Sequence, residues 1–233
     1  MRRGIISLLT VGIATFSLTA APMIFFGEDL NPNQGANLTN SNAAHDDFFS
    51  NLIGVGTEDF ESFATGATAP LAVDFGAAGT ATLNGGGAIQ SGYSTGRFPI
   101  SGEKYWEAST GTGMFTIDFS EAVAAFGFYG TDIGDFNGQI QVSTAGGLTE
   151  TFDIPHTQNA PNATALFWGV IDTEDEFTSI SFANTGSSGD WFGFDDFSIG
   201  SRQQVSVPEP ASISLLGIGL LSLVGFAKIR KRR

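Results

Sequence analysis

The sequence predicts an all-β protein: a jelly-roll-like antiparallel β-sandwich, with a short N-terminal helical segment and a C-terminal transmembrane helix. Three observations lead there. The 31 glycines and 22 phenylalanines occur with abundant Ser and Thr in short apolar runs broken by turn residues, the texture of strands joined by tight turns. Phe115, Ile117 and Phe119 alternate with Thr116 and Asp118, the period of two that gives a strand one buried face. Between residues 56 and 200 helical periodicity is nearly absent, and that length suffices for one domain with a sizeable core.

Taken in order, residues 1–26 read as a signal peptide. Met1-Arg2-Arg3 is a charged n-region, the uncharged run from Gly4 to Ala20 is an h-region, and Thr19, Ala20 and Ala21 are the small residues of a cleavage site placed between residues 20 and 26. Residues 27–55 form an N-terminal extension. Asn31-Pro32-Asn33-Gln34-Gly35 is turn chemistry, and Asn40 or Ser41 caps a short helix through His45, Phe48, Phe49 and Leu52 that packs on the sandwich edge. Residues 56–201 form the sandwich. Strands are expected at 58–63, 71–75, 81–83, 88–90, 115–119, 122–129, 139–144, 148–154, 165–171, 177–183 and 191–199, and such regular spacing favours a sandwich. Leu166, Phe167, Trp168, Val170 and Ile171 make an unbroken apolar run, expected of a central strand covered on both faces.

The linker at 202–210 ends in Val207-Pro208-Glu209-Pro210. Seventeen uncharged, mostly apolar residues follow at 211–227, then the basic tail Lys228-Ile229-Arg230-Lys231-Arg232-Arg233. As a helix the apolar segment rises by about 25 Å, slightly short of the roughly 30 Å of bilayer hydrocarbon, so it spans with local thinning or with snorkelling of Lys228. The cations fix the tail in the cytoplasm and place everything before Pro208 outside.

Charge separates the segments sharply. Residues 27–207 hold 23 carboxylates against the three fixed cations Arg97, Lys104 and Arg202, a net −20 that the whole-chain −14 conceals. This sign excludes electrostatic binding to nucleic acid or to anionic lipid. With no cysteine there is no disulfide, so stability rests on the core or on a metal.

Several motifs bear on chemistry. Gly92-Tyr93-Ser94-Thr95-Gly96 fits the G-x-S-x-G nucleophile elbow, but Arg97-Phe98-Pro99 cannot open the helix that elbow requires, so the stretch reads as a glycine-rich loop. His45 and His156 lack metal-ligand spacing and read as solvent-exposed. Asp132, Asp135 and Asn137 share a tight glycine-containing loop, suited to a structural Ca²⁺ with its six to eight oxygen ligands. Glu61, Asp195 and Asp196 are expected on neighbouring strands as further ligands; strict alternation sends Asp195 and Asp196 to opposite faces, one of them toward the core. Such a buried carboxylate needs a cation or several hydrogen-bond donors. Tyr93, Tyr105, Trp106 and Trp191 are candidates for stacking on sugar rings.

The proline-bounded motif, apolar segment and arginine-rich end together resemble the PEP-CTERM sorting signal of exported proteins in Gram-negative bacteria that make exopolysaccharide. The resemblance implies recognition by exosortase, a membrane-embedded cysteine transpeptidase-like enzyme, with Pro208, Glu209 and Pro210 as the sorting motif. The two prolines hold that peptide extended. The body also resembles sandwich domains found with this signal, through Phe60-Glu61, the run Phe126-Gly127-Phe128-Tyr129-Gly130-Thr131-Asp132 with Ile133-Gly134-Asp135, and Phe192-Gly193-Phe194-Asp195-Asp196-Phe197. The expected protein is exported, transiently anchored in the inner membrane, then at the cell surface or extracellular, non-enzymatic and exopolysaccharide-binding. Two alternatives stand beside it: a polysaccharide-active hydrolase with two convergent carboxylates, and a permanently tail-anchored structural envelope protein.

Overall fold

Alternation and turn chemistry decide most of the strands. In the computed structural model, which describes residues 21–30, 32, 37–112, 114–186 and 189–206, Phe115, Ile117 and Phe119 are buried while Asp118 faces solvent, as their spacing requires. The leader up to Ala20, the Pro208-Glu209-Pro210 motif, the 211–227 segment and the basic tail lie outside the described residues. Among the described residues no helix is long and apolar enough to cross a membrane.

The elements, in order, are β1 (Met23–Asp29), α1 (Thr39–Ser50), β2 (Gly56–Glu58), β3 (Leu71–Asp74), β4 (Thr80–Gly85), β5 (Ala88–Ser91), β6 (Lys104–Ser109), β7 (Phe115–Val123), β8 (Ala125–Thr131), β9 (Ile140–Gly146), β10 (Glu150–Asp153), β11 (Ala165–Ile171), β12 (Phe177–Asn184) and β13 (Trp191–Gly200). They form two antiparallel sheets. One runs β1-β11-β8-β13-β6-β5 with β2 also on β13; the other runs β10-β9-β12-β7-β4-β3. The core lies between them and is built largely of phenylalanine: Phe126, Phe128, Phe194 and Phe197 meet Phe115 and Phe182. Phe128 and Phe182 touch edge to face, with ring centroids 5.2 Å apart, a favoured geometry for aromatic pairs.

A second apolar cluster lies on the outer face of the seven-stranded sheet, where α1 covers β1 and β11. Phe48 is fully buried there, worth roughly 1.5–3 kcal/mol of apolar burial. Glycines admit it: a Cβ on Gly169 would stand 2.8 Å from the Phe48 ring. The helix cap comes from a distance. Neither Asn40 nor Ser41 is the cap; instead Asp29, the last residue of β1, accepts hydrogen bonds from the Asn40 and Ser41 backbone N–H groups at 3.0 and 2.9 Å and from Ser41 Oγ at 2.8 Å. A carboxylate at this position satisfies orphan donors and complements the helix dipole.

Three strands differ from expectation. That expected at 58–63 ends at Glu58 as β2, because the chain turns at Phe60, whose φ is 59°, and Glu61 lies in that turn and not on a strand. Residues 23–29 are not part of an extension outside the sandwich: β1 pairs with β11 over its whole length, from Met23 opposite Ile171 to Asp29 opposite Ala165. Within the 20–26 window, only cleavage before Met23 leaves that strand intact. β6 was not expected, and it lies between β13 and β5. β11 is buried along its full length as its apolar run predicts, though it is second from the sheet edge and owes its outer cover to α1.

Candidate functional site

The connection between β5 and β6, residues 92–103, folds back over the outer face of the seven-stranded sheet. Its opening is a tight turn in which Ser94 and Arg97 exchange backbone hydrogen bonds of 2.8 and 3.0 Å. Ser94 Oγ accepts from Arg97 Nη2 at 3.4 Å, so the G-x-S-x-G stretch is a tight turn that holds an arginine and opens no helix. Two glycines let the loop lie flat. Gly96 and Gly102, with φ of 95° and 57°, pass so close to the carboxylates of Asp132 and Glu61 that a Cβ on either would overlap them.

Carboxylates pin the loop along its length. Asp195 Oδ2 accepts from the N–H groups of Ile100 (2.7 Å) and Ser101 (3.2 Å), and Asp196 Oδ1 accepts from Ser101 Oγ (2.6 Å). Glu61 Oε1 accepts from the N–H groups of Glu103 and Lys104 at 2.7 and 2.6 Å. Asp195 and Asp196 therefore work on one face, not on opposite faces. The cause is a β-bulge: the β13–β8 register shifts between Asp195 and Ser198, and Asp196 has φ of 47°, so the extra residue resets the alternation. Phe194 and Phe197 both reach the core as a result. Burial raises both carboxyls above the usual range, Asp195 well above it, with the mutual repulsion of the pair adding to the effect at Asp195 and the loop N–H groups opposing it.

Beyond the loop, Arg97 is held between two acids. Its Nε donates to Glu107 of β6 and its Nη1 to Asp132 Oδ2 at 3.2 Å, with Asp132 side-chain exposure only 2%. Asp132 Oδ1 also accepts from the Ala163 N–H at 3.1 Å. Burial raises the Asp132 carboxyl, opposed by that N–H and by Arg97. Near it, burial and a hydrogen bond to the Asp190 carboxyl push Asp135 up to about 7, and Asp135 Oδ1 is buried without a hydrogen-bond partner. Arg97 and Glu107 carried no motif; their signal was that Arg97 is one of three fixed cations in so acidic a body.

The six expected metal ligands divide into two sets. Asp132 and Asp135 belong to the Arg97 end, where Asn137 is exposed; Glu61, Asp195 and Asp196 hold the loop. Among the described residues no three acids or histidines are grouped to hold a metal ion, and both oxygens of Asp132 and Asp195 and the Oε1 of Glu61 are occupied by N–H donors. This does not fit a calcium cage of six to eight oxygens. Of the four aromatic candidates, Tyr93 and Trp191 are exposed, at 53% and 45%, whereas Tyr105 and Trp106 are fully buried. Trp106 belongs to the inter-sheet core and Tyr105 lies on the opposite face, where burial pushes its hydroxyl up to about 12; neither is a sugar platform. His156 is buried, contrary to expectation, because its Nε2 accepts the Ile140 N–H at 3.1 Å. His45 is half-buried against Phe49, at 4.3 Å between ring centroids.

Comparison with known proteins places the other end of the chain. Residues 206–233 match the PEP-CTERM protein-sorting motif. A sandwich body followed by such a signal defines an exported protein that is sorted through its C-terminus. The chain carries a PEP-CTERM sorting motif, and that motif implies export and processing by exosortase. No curated protein matches it. Among solved structures it is similar to the K2 cleaved adhesin domain of Lys-gingipain, with 15% identity, 62% of this chain and 98% of that chain covered, and a TM-score of 0.39. It is also similar to TmCBM61 in complex with β-1,4-galactotriose, with 15% identity, 62% and 99% coverage and a TM-score of 0.31. A third is the Stig cyclase Fisc from Fischerella sp. TAU, with 12% identity, 63% and 89% coverage and a TM-score of 0.31.

Removing Arg97 strands two buried carboxylates, so Arg97→Ala is expected to lower stability by about 3–5 kcal/mol, measured by urea unfolding; a loss under 1 kcal/mol would show the trio to be solvated. The raised Asp135 group sets a pH dependence. A carboxyl held at about 7 in the fold and near 3.8 unfolded contributes stability that is complete below the lower value and lost as pH rises through the upper one. The melting temperature should rise on acidification from about pH 8 to about pH 6, and Asp135→Asn should flatten that rise. Below the ordinary histidine range the buried neutral His156, whose pKa is lowered by burial, works in the opposite direction.

Proposed function

We propose that the mature protein is a non-enzymatic surface or matrix component that is cut near Pro208-Glu209-Pro210, leaves its transient inner-membrane anchor, and binds exopolysaccharide. The observation that carries the sorting part is the motif at residues 206–233. Strands β6 to β13 support a jelly-roll reading of the body: β6-β13-β8-β11 lie in one sheet and β7-β12-β9-β10 in the other, so the chain crosses between sheets at nearly every turn. For glycan contact the candidates are Tyr93 and Trp191. Tyr93 stacks on Phe98 with ring planes 13° apart, which fixes the ring and leaves its other side to solvent. The body's strong negative charge favours a neutral or basic polysaccharide over an anionic one.

The double variant Tyr93→Ala with Trp191→Ala, both at exposed positions, should weaken binding to the host's own polysaccharide about tenfold, from two lost stacking contacts of roughly 0.5–1.5 kcal/mol each, with the melting temperature unchanged. Equal binding by variant and parent removes the glycan reading. For processing, intact mass of protein from its native cells, taken separately from medium and membranes, should lack residues 211–233. Retention of those residues would identify a permanent tail anchor instead.

A further inference from the structure

Strand register places both ends of the described chain at one end of the sandwich. Met23 lies opposite Ile171, Ile171 opposite Ala125, and Ala125 opposite Gly200, so the first residue of β1 and the last of β13 share one row across four strands. Three strand spacings of about 4.8 Å put them roughly 14 Å apart. The chain is tied at this end up to Ser206: Ile53 N–H donates to the Gln204 carbonyl at 2.8 Å and Ser206 N–H to the Asn51 carbonyl at 2.7 Å. From Ser206 to the start of the apolar segment at Ala211 is five residues, at most about 18 Å of extended chain.

The same end carries exposed apolar side chains. Ile53 is 68%, Leu148 64% and Met23 39% exposed. Ile53 adjoins the tied segment, and Leu148 lines a shallow cleft of about 390 Å³ with Ala21, Pro22, Glu150, Asp172, Glu174 and Asp175. Isolated exposed apolar residues are ordinary on a soluble surface; these three lie at the end that leads, within five residues of Ser206, to the apolar sequence at 211–227. The Asp132, Asp135 and Asp190 cluster with Trp191 lies at the opposite end of β8 and β13, about 30 Å away along β13.

We infer that, before processing, the end of the sandwich bearing Ile53, Leu148 and Met23 rests on a zwitterionic bilayer surface, so that the Trp191 end points away from the membrane. The inference rests on reading residues 211–227 as the membrane segment. The short tether limits how far the body can tilt or withdraw, and the apolar side chains enter the headgroup region as interfacial residues do. Glu150, Glu174 and Asp175 beside them repel anionic headgroups, which selects a zwitterionic surface.

Because the chain has no cysteine, single labels are clean. The full chain, reconstituted in phosphatidylcholine vesicles, would carry a spin label at Ile53→Cys, Leu148→Cys, Asn137→Cys or Leu220→Cys, and collision with oxygen would be compared with collision with a water-soluble nickel chelate. The ratio is expected to shift toward oxygen at positions 53 and 148 relative to 137, with 220 the most oxygen-accessible. If 220 lies in lipid while 53 and 148 match 137, the orientation is wrong and the sorting reading survives. If 220 lies in water, both fall.

Discussion

A carboxylate that accepts backbone N–H groups is the interaction on which the rest of this structure depends. The body has too few cations to pair its acids, and it uses amide protons instead. Asp29 caps α1, Asp195 and Glu61 hold the loop over β13 and β6, Asp132 takes the Ala163 N–H, and Asp172 takes those of Glu174 and Asp175. Hydrogen bonds to a charged group are worth about 1.5–3 kcal/mol each, and here they fasten connections that would otherwise be loose strand crossings. Composition that looked like a surface property is thus partly internal wiring, and it serves a fold without disulfides.

The outer face of the seven-stranded sheet shows what that wiring achieves. Left bare, Tyr129, Phe167 and Tyr105 would be a wide exposed aromatic patch. α1 covers one side, held by Asp29, and residues 92–103 cover the other, held by Asp195 and Glu61. Tyr129 joins the two layers, donating its hydroxyl to Asn42 Oδ1 at 2.9 Å while its ring packs against Phe167. Burial, with nearby acids, pushes that hydroxyl far above its usual range, so it stays a donor throughout the working pH range. The sheet is therefore shielded on both faces without a third layer.

Much of this was legible because alternation is local. Ten of the eleven expected strands correspond to observed ones, with boundaries moved by a few residues, whereas that expected at 58–63 meets β2 only at Glu58. The bulge was also legible: Phe192, Phe194, Phe197 and Ile199 are spaced by two, three and two, and Asp195-Asp196 fills the wider gap. Strict alternation misread it and turned one aspartate inward. β1 was obscured because its apolar residues continue the run of the leader. β6 was obscured because the cover over Tyr105 comes from a loop and not from its own neighbours. The partners of the acids were not legible at all: Asp195 meets Ile100 across 95 positions of sequence, and nothing local distinguishes a carboxylate awaiting a cation from one awaiting an amide.

The bond from Ser206 N–H to the Asn51 carbonyl sits at the first residue of the sorting motif. Folding and sorting thus share one amino acid, Ser206, whose N–H closes the body and whose position opens the motif. Scission on the far side of Ser206 would break none of the body's described pairings, so a cut there would leave the architecture of the described residues complete.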